Sequence, residues 1–230
     1  MTEGRRWAGV LFDLDGTLAD TVELILMSYR HTMRVHLGEA LPDELWLATI
    51  GTPLPLQLGD FARSEEEHRR MLDTYRTFQH TVHDEMVRPF PGAGLVLDEL
   101  RRRGLRLAVV TSKAAAIARR TMEVCGLWDR VDFVVGGDEV TRGKPDPEPV
   151  ARALNHLDLS GRAGEVIFVG DSPFDLRSGR AAGTRTAAVG WGPHAHEILH
   201  AEGPDYFLQA LEDLLAIVPA SSRAIGQRGS

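Results

Sequence analysis

The chain has 230 residues, 43% apolar and 26% charged, an ordinary globular balance and enough for one large domain or a domain with an insert. Its net charge of −7 argues against a surface built for nucleic acid or an anionic membrane, since both need clustered positive charge. The single Cys125 cannot form an internal disulfide, no apolar run approaches a membrane span, and residues 1–6 are too short and polar for a signal peptide, so a soluble cytoplasmic protein is expected.

Residues 7–12 are an apolar run that stops at Asp13, followed by Leu14, Asp15, Gly16 and Thr17. Such a run, ended by a breaker, predicts a buried strand. Residues 20–87 then read as helical. Asp20, Thr21 and Glu23 resemble a capping box, Pro42 stands in the first turn of a second helix, and Gly51-Thr52-Pro53 is a turn. A long polar helix over 65–85 places Met71, Leu72, Tyr75, Phe78 and Val82 on one face. Without strand signals, this tract is expected to be a helical insert, with residues 18–20 and 87–89 as its hinges. After Pro89 and Pro91-Gly92 the pattern alternates. Helices are predicted over 93–103, 114–125, 147–157 and 175–182, and strands over 105–111, 131–135, 166–170 and 186–189. A terminal helix is expected over 208–218 and a flexible tail over 219–230. Alternating strands and helices imply an α/β fold, a Rossmann-like parallel sheet covered on both faces. The expected division is a core of residues 1–19 and 88–218 with an α-helical cap of residues 20–87.

The chemistry gathers at three predicted strand ends. Asp13 and Asp15 end the first. Thr111, Ser112 and Lys113 end another. Gly170, Asp171 and, four residues on, Asp175 end a third. In a parallel sheet these ends share one edge, where α/β sheets bind ligands. Singly, Asp171 or Asp175 could cap the next helix and Thr111 could do the same. Together they form one anionic site that needs a cation, and a hydroxyl before a helix start suits a phosphate. Of 26 basic residues only two are lysines, Lys113 and Lys144. Lys144 sits in the stiff loop Gly143-Lys144-Pro145-Asp146-Pro147, while Lys113 reads as a helix-start charge.

These motifs resemble the haloacid dehalogenase superfamily of aspartate-nucleophile phosphotransferases. The resemblance rests on Asp13-Leu14-Asp15-Gly16-Thr17, Thr111, Lys144 and Gly170-Asp171 with Asp175, in that order, and spans residues 8–218. The helical insert is similar to the cap of the branch holding phosphoglycolate phosphatases and bacterial pyrophosphatases. The resemblance implies Asp13 as nucleophile and Asp15 as general acid and base. It implies phosphoryl contacts from Thr111, Ser112 and Lys144, and Mg²⁺ held by Asp13, Asp171 and the carbonyl of Asp15. Asp175 is placed behind them as an orienting group. The implied activity is Mg²⁺-dependent hydrolysis of a small phosphorylated metabolite or pyrophosphate by a monomer or homodimer. A sugar phosphomutase and a non-catalytic protein of the same fold are the alternatives. In the cap, Gln57, Arg30, Arg76, His80 and His83 are polar candidates, and Trp191-Gly192-Pro193 with His194 lies at the site edge or at an interface.

Overall fold

The computed structural model describes residues 7–219. Residues 1–6, read as too short and polar for a signal peptide, and all but the first residue of the expected flexible tail lie outside the described residues. The chain enters through β1 (Gly9–Phe12) and leaves the sheet by the short β2 (Ala19–Asp20). It then forms α1 (Val22–Leu37), α2 (Asp43–Leu47), α3 (Leu54–Gly59) and α4 (Glu65–Met86), and returns through β3 (Arg88–Pro89). Thereafter it alternates through α5 (Ala93–Arg102), β4 (Arg106–Val110), α6 (Ala115–Val124), β5 (Phe133–Val135) and α7 (Glu148–His156). It finishes with β6 (Val166–Gly170), α8 (Pro173–Ala181), β7 (Arg185–Val189), α9 (His196–Ala201), β8 (Tyr206–Leu208) and α10 (Leu214–Ile217). Among the described residues, no helix is long and apolar enough to cross a membrane.

Six strands form one parallel sheet in the order β5-β4-β1-β6-β7-β8. β1 is central, which is why Gly9–Phe12 is buried throughout. Alternate residues face opposite sides. Val10, Phe12, Val109 and Val169 join the apolar cluster beneath α5 and α6, while Leu11, Ala108, Val110 and Phe168 join the cluster beneath α7. In register, Phe12 lies beside Val109 and Val169. The next residues, Asp13, Val110 and Gly170, therefore end three adjacent strands at one level.

The two crossings pair as an antiparallel ribbon, Ala19 with Pro89 and Asp20 with Arg88. Between them α1 to α4 enclose a separate apolar cluster that includes Tyr29, Met33, Trp46, Leu58, Met71 and Tyr75. Trp46 stacks on Tyr29 with ring centroids 4.6 Å apart. Burying each such side chain contributes about 1.5–3 kcal/mol, so the insert carries its own core.

Two local expectations are corrected. The terminal helix is shorter than predicted, because Tyr206–Leu208 is a sixth sheet strand paired to β7. Three residues are too few for periodicity to reveal, and the partner strand decides their state. At the start of α1, Thr21 makes no side-chain cap bond; its hydroxyl donates instead to Asp15 Oδ1 at 2.5 Å.

Candidate active site

The strand ends bring seven expected residues to one place: Asp13, Asp15, Thr111, Ser112, Lys144, Asp171 and Asp175. Asp13 and Asp171 are buried, 3% and 4% exposed. The Asp13 backbone N–H donates to the Val169 carbonyl, continuing the β1–β6 ladder by one residue. Lys144 Nζ donates to Asp13 Oδ1 at 2.8 Å, to Asp175 Oδ1 at 2.5 Å and to the Val110 carbonyl at 3.3 Å. Asp175 is held in turn by Ser172, whose backbone N–H and hydroxyl both donate to its other oxygen. Thr17 donates to Asp171 Oδ1 at 3.0 Å. Gly16 adopts φ +78°, and a Cβ there would stand 2.5 Å from Asp171 Oδ2, so only glycine fits this turn.

Sequence reasoning misplaced the second lysine. Lys113, read from the sequence only as a helix-start charge, turns its side chain into the site. Its Nζ donates to Asp15 Oδ1 at 2.5 Å, and its side chain is 7% exposed. Each lysine of the chain therefore pairs with one carboxylate of the Asp13–Asp15 motif. The available signal was rarity, two lysines among 26 basic residues, combined with a position beside the Thr111 hydroxyl.

Oxygens of Asp13, Asp171 and Asp175 lie within 4.8 Å of one another. Burial pushes the Asp13 carboxyl up to about 7; Lys144 opposes this, while Asp175 and Asp15 add repulsion. Burial likewise raises Asp171 well above the ordinary carboxylate range, with repulsion from Asp13 and Asp175 adding to it. Burial alone would lower Lys144, but Asp13 and Asp175 outweigh it and hold the ammonium above its ordinary value. One ammonium does not neutralise three buried carboxylates, and the surplus charge is what a hard, oxygen-seeking divalent cation offsets. The donor set thus fits such an ion. The Asp15 carboxylate stands apart from this cluster, facing Thr21 and Lys113, which leaves its backbone carbonyl as the atom it could offer a metal.

Over these residues lies a cavity of about 230 Å³ whose far wall belongs to the cap, through Trp46, Gln57, Tyr75, Arg76 and Gln79 among others. Tyr75 and Gln79, four residues apart on α4, face the cavity together, although Tyr75 reads from sequence as an ordinary apolar position. Of the expected polar cap residues, Gln57 and Arg76 line it. Arg30 is tied to Asp43 and Glu23, His80 lies outside the lining, and His83 is buried against Thr121 of α6. Ser112 lines the cavity and donates its hydroxyl to the Gly51 carbonyl at 2.6 Å, which joins cap to core. Trp191 donates to the Thr17 carbonyl, and a Cβ on Gly192 would stand 2.4 Å from the Asp171 Cβ, which places that loop at the site edge.

A family model of haloacid dehalogenase-like hydrolases matches residues 10–189. A Bacillus velezensis protein named pyrophosphatase PpaX is 39% identical over 213 residues, 93% of this chain and 97% of the relative. A Halalkalibacterium halodurans protein of the same name is 36% identical over 215 residues, 93% and 98% of the two chains. Among solved structures, one described as a predicted phosphoglycolate phosphatase from Haemophilus somnus superposes with a TM-score of 0.85. It is 22% identical and covers 93% of this chain and 98% of its own.

Proposed function

The chain belongs to the haloacid dehalogenase-like hydrolase family, and on that premise we propose that it hydrolyses a small phosphate compound, with pyrophosphate the foremost substrate. The observation that carries the chemistry is the split of the two motif carboxylates between two lysines and two environments. Asp13 is buried among carboxylates with Lys144, and Asp15 lines the cavity with Lys113. The choice of pyrophosphate follows the relatives that share more than a third of their residues with nearly the whole chain. The phosphoglycolate phosphatase likeness is one of fold alone.

In this reading a free oxygen of Asp13 attacks phosphorus, the bond from phosphorus to the leaving oxygen breaks, and Asp15 gives that oxygen its proton. Water then attacks the aspartyl-phosphate, Asp15 takes back a proton, and phosphate leaves with Asp13 restored. Thr111 and Lys144 hold phosphoryl oxygens, which suits a reaction governed by positioning and charge. Asp175 keeps Lys144 in place. Mg²⁺, held by Asp13, Asp171 and the Asp15 carbonyl, would offset the carboxylate charge and help orient the phosphoryl group.

The direct test is initial-rate kinetics with pyrophosphate, 2-phosphoglycolate and sugar phosphates, with and without Mg²⁺. Pyrophosphate should give the highest kcat/KM, and chelation should abolish turnover. Phosphate release from none of these in the presence of Mg²⁺ would sink the reading.

A stability measurement tests the metal site separately. Asp13 and Asp171 have folded pKa values above the unfolded carboxylate value, so they favour folding most at low pH. That contribution fades as the pH rises through about 7 for Asp13. Without metal, Tm should fall between pH 5 and pH 7.5; Mg²⁺ should remove most of the fall by binding the ionised form. A pH profile of Tm unchanged by Mg²⁺ would contradict the assignment.

A further inference from the structure

Behind Asp15, away from the carboxylate cluster, a line of buried polar contacts runs into the cap. His83, near the end of α4, is fully buried. Its Nε2 lies 2.9 Å from Thr121 Oγ1 on α6, and its Nδ1 lies 2.7 Å from Asp84 Oδ1. Arg120 of α6 grips Asp84 at 2.9 and 3.0 Å. Thr121 Oγ1 lies 3.5 Å from Lys113 Nζ, and Lys113 Nζ donates to Asp15 Oδ1.

Burial is the largest influence on His83 and lowers its pKa, against the pull of Asp84. A neutral imidazole that donates from Nδ1 to Asp84 keeps its lone pair at Nε2. Thr121 has one proton and two lone pairs. With the proton turned to Nε2, a lone pair faces the Lys113 ammonium. The same hydroxyl can donate to the Ile117 carbonyl at 2.9 Å, so its one proton has two acceptors in reach, and in either orientation a lone pair is left for the Lys113 ammonium. Lys113 has a flexible four-carbon stem, and a second anchor restricts where its ammonium sits. Asp15 Oδ1 is filled by Thr21 and Lys113, which leaves Oδ2, without a side-chain or backbone donor among the described residues, as the oxygen that meets substrate.

We infer that His83 is a positioning residue for Asp15: by docking α4 on α6 through Thr121 it fixes Lys113, so the carboxylate is held for proton transfer only while the cap lies on the core. Asp84 and Arg120 brace the same contact from the surface. The inference rests on Asp15 being the proton carrier, and the test separates the two.

The test is kcat/KM across a series of phosphate monoesters whose leaving groups run from p-nitrophenol to simple alcohols. This quantity reports the step in which the leaving oxygen needs its proton, and a poor leaving group needs it most. Thr121→Val should lower kcat/KM roughly tenfold for the alkyl esters and less than about threefold for p-nitrophenyl phosphate, a partial loss of the ~10²–10⁴-fold that proton transfer as a whole contributes. Thr121→Ser should restore most of the loss. His83→Gln, whose amide can replace Nε2, should stay near the parent slope, while His83→Ala should follow Thr121→Val. Should His83→Ala not fold, the Thr121 pair carries the test. Asp15→Asn must itself steepen the leaving-group dependence; if it does not, the proton-carrier reading fails. If Asp15→Asn steepens it but Thr121→Val lowers all substrates equally or none, the positioning role is overturned while that reading stands.

Discussion

Asp13→Asn is expected to give a folded protein with no measurable phosphate release from pyrophosphate, a loss of about 10⁴-fold or more. The amide lacks the charge and nucleophilicity of the carboxylate, yet it keeps the shape and can still accept from Lys144, the one side chain hydrogen-bonded to Asp13 among the described residues. The stability effect should have the opposite sign. Three carboxylates crowd one buried lysine, and repulsion from Asp175 and Asp15 adds to the desolvation cost at Asp13. Replacing one carboxylate by a neutral group relieves that repulsion, so the metal-free variant should melt at or above the parent temperature at pH 7.5. Activity and Tm measured side by side check both halves. A variant that keeps turnover would exclude Asp13 as the nucleophile, and one that is inactive because it unfolds would show that the carboxylate is structural.

The second large effect is at Lys144. Its side chain is 1% exposed and bridges Asp13 to Asp175. Lys144→Met removes the only ammonium in contact with the cluster among the described residues and leaves Asp13, Asp171 and Asp175 uncompensated. Breaking a buried pair from one side typically costs about 3–5 kcal/mol, so the metal-free Tm should drop sharply. Mg²⁺ should recover part of that stability by meeting the same charge. Turnover should still fall about 10²–10³-fold or more, because a positive group aimed at the transferring phosphoryl oxygens is lost. Lys144→Arg should not rescue it, since a planar guanidinium does not fit an enclosed niche shaped for a compact charge. Thermal melts and initial rates of the two variants, with and without Mg²⁺, test this. A Lys144→Met protein as stable as the parent without metal would mean that the carboxylates carry less charge than proposed.

Much of the core was legible because its strands are extreme in composition. The runs at residues 9–12 and 166–170 are apolar throughout, as a strand buried on both faces must be, and each stops at an aspartate. Parallel topology then brings the ends together without any further information. Other features depend on contacts that spacing does not encode. Thr21 matches a local capping pattern, but Asp15 reaches it through the turn at Gly16 and takes its hydroxyl. Lys113 follows a hydroxyl at a helix start, where a solvated charge is the ordinary outcome; only the folded turn shows its stem lying inward towards Asp15. Tyr206–Leu208 is too short to signal a strand and becomes one by pairing with β7. In the cap, the apolar face of α4 could be read from periodicity, but which end of that face meets the site depends on how α4 docks. Tyr75 and Gln79 turn to the cavity, and His83, one helical turn on, turns to α6.

The central claim is that the phosphoryl group passes through Asp13, and it is tested most directly by trapping. Asp15→Asn should slow the water step and let the covalent species accumulate from a substrate with a good leaving group, such as p-nitrophenyl phosphate. Acid quench in the presence of Mg²⁺ and mass mapping of the digested protein should find one phosphoryl group, on the peptide carrying Asp13 and on that residue. A phosphoryl group on another side chain, or release of p-nitrophenol with Asp13 never modified, would contradict the account.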